Sequence, residues 1–143
     1  VTTVDFHFNV PDKVGYACRL LRKACAAGAR LAVTGPDEIL RDLDRQLWVF
    51  SPLDFVAHSH PGSSTGVVQA SPVQLLHEPA LAPHRDVVLN LGTEKPVGFN
   101  EFARLIELVS TDETDRLHAR QRWRRYQEQG LEIVRYDVAA KTA

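Results

Sequence analysis

The residues best suited to chemistry in this chain are arginines gathered in one stretch, T-D-E-T-D-R-L-H-A-R-Q-R-W-R-R-Y-Q-E-Q-G, from Thr111 to Gly130. Five arginines lie between Arg116 and Arg125, although the whole chain sets 17 Lys+Arg against 18 Asp+Glu, a formal charge of −1. The positive charge is therefore local. Guanidiniums pair bidentately with carboxylates, and an aromatic neighbour takes an apolar group, so the pattern suits a small acidic ligand with a hydrophobic end. The competing reading is a solvated helix face whose arginines pair with Asp112, Glu113, Asp115 and Glu128.

The element that must carry these side chains is a helix over Thr114 to Gly130. Its start is rich in Thr, Asp and Glu, it has no internal Gly or Pro, and Gly130 sits where a left-handed C-cap belongs. At about 100° per residue, Ala119, Trp123 and Tyr126 share one face. Arg116 and Arg120 then stack one turn apart on the flank beside Trp123, two guanidiniums against one indole.

Other groups with chemical potential are weaker. No G-x-G-x-x-G or G-x-x-x-x-G-K-[ST] occurs, and the turn after the first predicted strand, Asn9-Val-Pro-Asp-Lys13, has no glycine to let a pyrophosphate approach. Gly62-Ser-Ser-Thr-Gly66 lacks the phosphate-binding lysine and reads as flexible loop. His58 and His60 could share a metal in an extended segment, but no carboxylate or cysteine lies close by in sequence, so the pair reads as exposed polar surface and no metal is assigned. Ser59 and Ser63 occupy no nucleophile elbow. Catalytic residues and cofactors are therefore both expected to be none. Two alternatives to an acidic-ligand site stay open: a small nucleotide-binding enzyme on a Rossmann-like sheet, and a direct single-stranded nucleic-acid binder in which Arg tracks phosphates and Trp and Tyr stack bases. The near-neutral charge and the single basic helix count against the second.

Composition bounds the rest. A length of 143 residues with 44% hydrophobic and 24% charged residues describes one ordinary globular domain. No apolar run approaches the roughly 20 residues of a membrane span, and the start does not resemble a signal peptide, so the expected location is cytoplasmic. The chain contains no methionine, not even an initiator, and its first residue is read as processed or trimmed. Cys18 and Cys25 fall about 10.5 Å apart along one predicted helix, beyond the roughly 7 Å that a disulfide tolerates. They read as small buried apolar residues.

In chain order, Val1 to Val10 is predicted as a first strand, alternating Val4, Phe6 and Phe8 against Asp5, His7 and Asn9. Asp12 caps a helix to about Ala27, ended by Gly28. Arg30 to Thr34 reads as a buried strand, and Gly35-Pro36-Asp37-Glu38 opens a helix to Trp48 with Pro in its first turn. A short strand is expected near Phe55 and Val56, a mobile surface loop over Ser59 to Ser71, and a strand over Val73 to His77. Glu78 to His84 is a Pro-broken connection, and Asp86 to Leu91 a central strand. Phe99 to Val109 is predicted as a helix from the spacing of Phe102, Leu105, Ile106 and Val109. Leu131 to Val138 alternates as a last strand, a candidate for the sheet edge. The succession of strand and helix predicts an α/β, three-layer, Rossmann-like fold with a mainly parallel sheet.

Several stretches together resemble the chi subunit of the bacterial DNA polymerase III holoenzyme: V-D-F-H-F at Val4 to Phe8, L-D-R-Q-L-W at Leu43 to Trp48, F-V-A-H at Phe55 to His58, R-D-V-V-L-N-L at Arg85 to Leu91, and R-L-H-A-R-Q-R-W-R-R-Y-Q-E-Q-G at Arg116 to Gly130. The resemblance implies a single chi-like α/β domain over residues 1–143 that is a non-catalytic accessory subunit of the clamp loader. It implies two partners, the psi subunit and the acidic C-terminal tail of single-stranded DNA-binding protein, which ends in Asp residues, an apolar pair and a free carboxylate. Contact with DNA would be indirect. By motif position, Arg120 would clamp the terminal carboxylate, Arg116 would add a second charge, and Trp123 with Val109 would form an apolar wall. Related pockets often carry a lysine and a tyrosine where this chain has Arg116 and Trp123. The psi-facing surface would include Trp48 and Phe55.

Overall fold

Alternating apolar residues on strands and apolar stripes on helices must be buried against one another, and here one parallel sheet collects both. A computed structural model describes residues 2–49 and 58–141. The strands are β1 (Thr3–Val10), β2 (Leu31–Thr34), β3 (His58–Ser59), β4 (Val73–Leu76), β5 (Val87–Asn90), β6 (Arg104–Ser110) and β7 (Glu132–Asp137). They form a seven-stranded sheet in the order β3-β4-β2-β5-β6-β1-β7. Every pairing is parallel.

The helices are α1 (Lys13–Ala26), α2 (Asp37–Val49), α3 (Thr65–Ala70), α4 (Glu113–Glu128) and α5 (Val138–Lys141). Connections through α1 and α4 run in opposite directions along the sheet, so crossovers of one hand lay these two helices on opposite faces. One face buries Ala17, Cys18 and Leu21 of α1 and Leu40, Leu43 and Leu47 of α2 against Leu31, Val33, Leu75, Leu89, Ile106 and Leu108. The other packs Ala119 and Tyr126 of α4 against Val4, Phe6, Ala32, Val88, Leu105 and Val109, with Trp123 and Phe8 at its margin. Neighbours in sequence on β2 and β6 go to opposite faces, as the pleat requires. Among the described residues no helix is long and apolar enough to cross a membrane.

The expected α/β architecture and parallel sheet are those observed, with β7 at an edge. Three expectations need correction. Phe99 to Val109 is not a helix: it holds a short 3-10 turn (Phe99–Glu101) followed by β6. β6 lies between β5 and β1 and is buried on both faces. Its run R-L-I-E-L-V-S therefore has apolar residues at consecutive positions, which matches helical spacing by coincidence. The stretch Ser59 to Ser71 is not only loop. It contains α3, whose first turn is capped by Ser64 Oγ accepting the Val67 N–H at 3.4 Å. Gln74 Nε2, held inside the sheet, donates to the Val68 carbonyl at 2.9 Å. His58 is not exposed surface either: its ring is buried, with Nε2 against Asp44 Oδ1 at 2.6 Å. The strand expected near Phe55 and Val56 lies outside the described residues.

Candidate functional site

The arginine-bearing helix is held on the sheet by a buried polar cluster. Glu107 points from β6 toward α4 with none of its surface exposed, and Arg122 Nε donates to its Oε2 at 3.1 Å with only 3% of the arginine exposed. Tyr126 Oη donates to the same oxygen at 2.5 Å, and Asn90 Nδ2 to Oε1 at 2.8 Å. Burial pushes the Glu107 carboxyl up, while the Arg122 guanidinium and the Tyr126 and Asn90 donors draw it down. The Tyr126 phenol is driven far up by burial and then by the neighbouring carboxylate. Arg122 Nη1 also donates to the Thr93 carbonyl at 2.7 Å. One of the five clustered arginines is thus an internal tie between α4 and the sheet.

The other arginines of that helix face outward, and a cleft of about 590 Å³ opens beside three of them. It is lined by Phe6, Phe8 and Asn9 of β1, Val109 of β6, Arg116, Ala119, Arg120, Trp123, Arg124 and Gln127 of α4, and Arg135 of β7. Arg116, Arg120, Trp123 and Val109, the four residues picked out in the sequence, share this one cavity. Among the described residues no carboxylate lines it. Arg116, Arg120 and Arg124 stand four residues apart in a row, as an α-helix stacks i and i+4 positions. Arg116 Nη2 donates to Asn9 Oδ1 at 2.6 Å and its Nη1 reaches Glu113 Oε1 at 3.4 Å. Glu113 is 80% exposed, so that pair is weak.

The guanidinium stacked on the indole is not the one expected. Among the described residues it is Arg135, on the opposite wall, that lies 5.7 Å from the Trp123 ring centroid. Trp123 in turn leans on Phe6 at 5.1 Å between centroids. Arg124, Arg135, Phe6, Phe8 and Asn9 escaped the sequence reading, yet most left a signal. Arg124 is one helical turn beyond Arg120, and Ile133 and Arg135 are alternate residues of β7, with Leu131 just before it in the same alternation; Leu131 and Ile133 pack against the α4-side core. For Asn9 the alternation is misleading, because a regular strand sends it to the other face from Phe8.

The crevice that Rossmann-like folds use for nucleotides is occupied by the chain itself. It lies outside the carboxyl ends of β6 and β1, where α4 and α1 leave in opposite directions. There Lys13 Nζ pairs with Asp115 at 3.0 Å and donates to the Leu91 carbonyl at 3.1 Å. Burial works against ionisation of Asp115, yet the Ser110 amide N–H and the Lys13 ammonium outweigh it and hold the carboxyl below the usual carboxylate range. Both helix N-termini are capped by the chain's own carboxylates, Asp12 on the Gly15 N–H and Asp112 on the Asp115 N–H, each at 3.1 Å. Gly15 leaves the room that the Asp12 cap fills.

The profile of the family described as DNA polymerase III chi subunit, HolC, matches residues 1–134. The chain belongs to the DNA polymerase III chi subunit family. It is similar to the DNA polymerase III subunit chi of Pseudomonas aeruginosa, 36% identical over 140 residues that cover 93% of this chain and 94% of that protein. It is also similar to the subunit of the same name from Haemophilus influenzae, 27% identical over 123 residues, 85% of each chain.

Two further features of this chi-family chain bear on the sequence reading. Trp48 lies in the last turn of α2 with 58% of its surface exposed, beside Val49 at 72%, and its ring lies 5.4 Å from that of His58. Phe55, expected on the same surface, lies outside the described residues. His58 and His60 do not converge: His58 is directed to Asp44, while His60 Nδ1 sits 2.8 Å from the Pro61 carbonyl. Among the described residues no group of three or more His, Cys, Asp or Glu is arranged to hold a metal.

Proposed function

We propose that this chi-family protein is a non-catalytic accessory subunit of the replicative clamp loader that receives the acidic C-terminal tail of single-stranded DNA-binding protein in the cleft beside α4. The observation that carries the reading is the cleft's composition: Arg116, Arg120, Arg124 and Arg135 around Trp123 and Val109, with no carboxylate lining it among the described residues. A peptide ending in apolar side chains and a free carboxylate meets cations for its charge and an aromatic and aliphatic floor for its end. Among the described residues no side chain pairs with Arg120 or Arg124, so both can engage a ligand without first breaking an ion pair.

The tail is disordered before it docks, so ordering it offsets part of the contact energy and the affinity is modest. Exposed charges are screened over about 8 Å at physiological ionic strength, so binding weakens with salt. Calorimetric titration with a peptide copying the cognate tail tests this. Expected is salt-sensitive binding that is lost with Arg120→Ala and with a peptide shortened by its last residue. Absence of heat and of competition at low salt overturns the reading.

A second partner is proposed on a separate surface. The adjoining exposed Trp48 and Val49 form an apolar patch at the end of α2 that suits a subunit contact, and the psi subunit is the partner the family implies. The nucleotide-enzyme reading has less support, because Lys13 and Asp115 fill the switch-point crevice and both flanking helix N-termini are capped.

A further inference from the structure

We propose that Asn9 is a positioning residue of the cleft, built into a β-bulge so that a neutral amide aims the Arg116 guanidinium at an anionic ligand without neutralising it; this rests on the peptide-docking reading above. In a regular strand Asn9 would share the face of Asp5 and His7 and point away from Phe6 and Phe8. The register prevents that. His7 stands opposite Leu108 and Val10 opposite Ser110, so Phe8 and Asn9 together face the single residue Val109. Such a bulge re-aims a side chain.

Asn9 completes the turn with φ of 60°, and among the described residues it alone holds a positive φ without being glycine. Asparagine is one of the few side chains that tolerates this region at small cost. The result is that Asn9 lines the cleft with Phe6 and Phe8.

Its amide is then used at both ends. Oδ1 accepts from Arg116 Nη2 at 2.6 Å, and Nδ2 donates to Asp137 Oδ1 at 3.0 Å. Asp137 Oδ1 also accepts the Ala139 N–H at 3.0 Å, so the amide is anchored to the start of the last short helix. Arg116 is long and costly to immobilise, and a fixed acceptor removes part of that cost before a ligand arrives. A carboxylate at position 9 would still accept from the guanidinium, but it would cancel its charge and give up the donor to Asp137. The choice of amide therefore keeps the cation available.

Two substitutions separate these roles while leaving the bulge intact. Asn9→Gly keeps the left-handed backbone and removes the amide. Asn9→Asp keeps the backbone and the acceptor, adds a charge and removes the donor to Asp137. The tail peptide should bind Asn9→Gly about two- to ten-fold more weakly than wild type, the worth of one positioning hydrogen bond. With Arg116→Ala already in place, Asn9→Gly should change nothing further, because the residue acts through Arg116. Asn9→Asp should bind more weakly than Asn9→Gly and with a shallower salt dependence. NMR of the arginine Nε–Hε groups in the unliganded proteins should find Arg116 ordered in wild type and mobile in Asn9→Gly. Equal affinity of wild type and Asn9→Gly, or additive effects in the double variant, overturns the proposal. If the wild-type protein binds no peptide, the docking reading falls, and Arg116 order that is the same in wild type and Asn9→Gly overturns the positioning role by itself.

Discussion

Replacing Arg122 and Arg120 by alanine, two positions apart on α4, should give opposite results. Arg122 is 3% exposed and its Nε holds the Oε2 of a Glu107 that is fully buried. Removing it leaves a carboxylate in the core with only the Tyr126 and Asn90 donors, together with the space the long side chain filled. Breaking a buried pair by deleting one partner costs about 3–5 kcal/mol. Set against a total stability of about 5–15 kcal/mol, that is a large fraction. At about 2–4 °C per kcal/mol for a chain near this size, the melting midpoint should fall by roughly 6–20 °C.

Arg120→Ala, exposed and without a partner among the described residues, should stay within about 0.5 kcal/mol of wild type by urea denaturation. It should nonetheless lose the tail peptide. The loss in Arg122→Ala should also shrink on acidification. Burial raises the Glu107 pKa, and without the guanidinium it rises further, so the folded variant takes up a proton that the unfolded chain, with its ordinary pKa of about 4.3, does not hold. Its stability therefore falls as pH rises from about 4.3 toward the folded pKa, and recovers as pH is lowered. A destabilisation by Arg122→Ala below about 1 kcal/mol, or one that Arg120→Ala matches, refutes the division of this cluster into an internal tie and a ligand-facing row.

Two pH-dependent predictions follow from other buried groups. Asp115 has a depressed folded pKa, so its contribution is present above the ordinary carboxylate pKa of about 3.9 and lost as pH falls through the folded value; Asp115→Asn should cost about 1–3 kcal/mol at neutral pH and flatten the acid limb of the urea midpoint. His84 is neutral in the fold, its Nε2–H donating to Gln74 Oε1 at 2.9 Å and its Nδ1 accepting the Asp86 N–H at 3.2 Å. Burial holds its pKa below the ordinary 6.5. The unfolded chain therefore binds a proton first, and stability should decline below about pH 6.5 by up to about 1.4 kcal/mol per pH unit until the folded pKa is reached, a slope that His84→Gln should abolish. An unchanged profile in either variant counts against that group's assignment.

The α4 row was legible because everything it needed was local: a capped start, 3.6-residue periodicity and a Gly stop put Arg116, Arg120 and Trp123 side by side without any long-range contact. Val109 is named a cleft residue only through the family resemblance, and periodicity misreads its segment as a helix. A strand buried on both faces has no polar face to betray its period, and only its neighbours β5 and β1 decide it. The arginine cluster shows the same limit. Composition made its five members equivalent, and the sheet alone separated Arg122, drawn inward by Glu107 fifteen residues earlier, from Arg120 and Arg124 left at the cleft.

What the sequence determined by itself was the set of elements whose signals are short-range, the parallel α/β architecture they imply, and the local excess of positive charge over a near-neutral chain. The tertiary structure decided which charges remain for a ligand. Arg135 meets Trp123 because β7 lies beside β1, and Asn9 meets Arg116 across 107 positions because a bulge turns it out of the strand's alternation. Lys13 closes the switch-point crevice because Asp115 stands at the start of the helix on the other side. Each is a juxtaposition of residues far apart in the chain, made by strand order and register, and periodicity within one element carries no record of it.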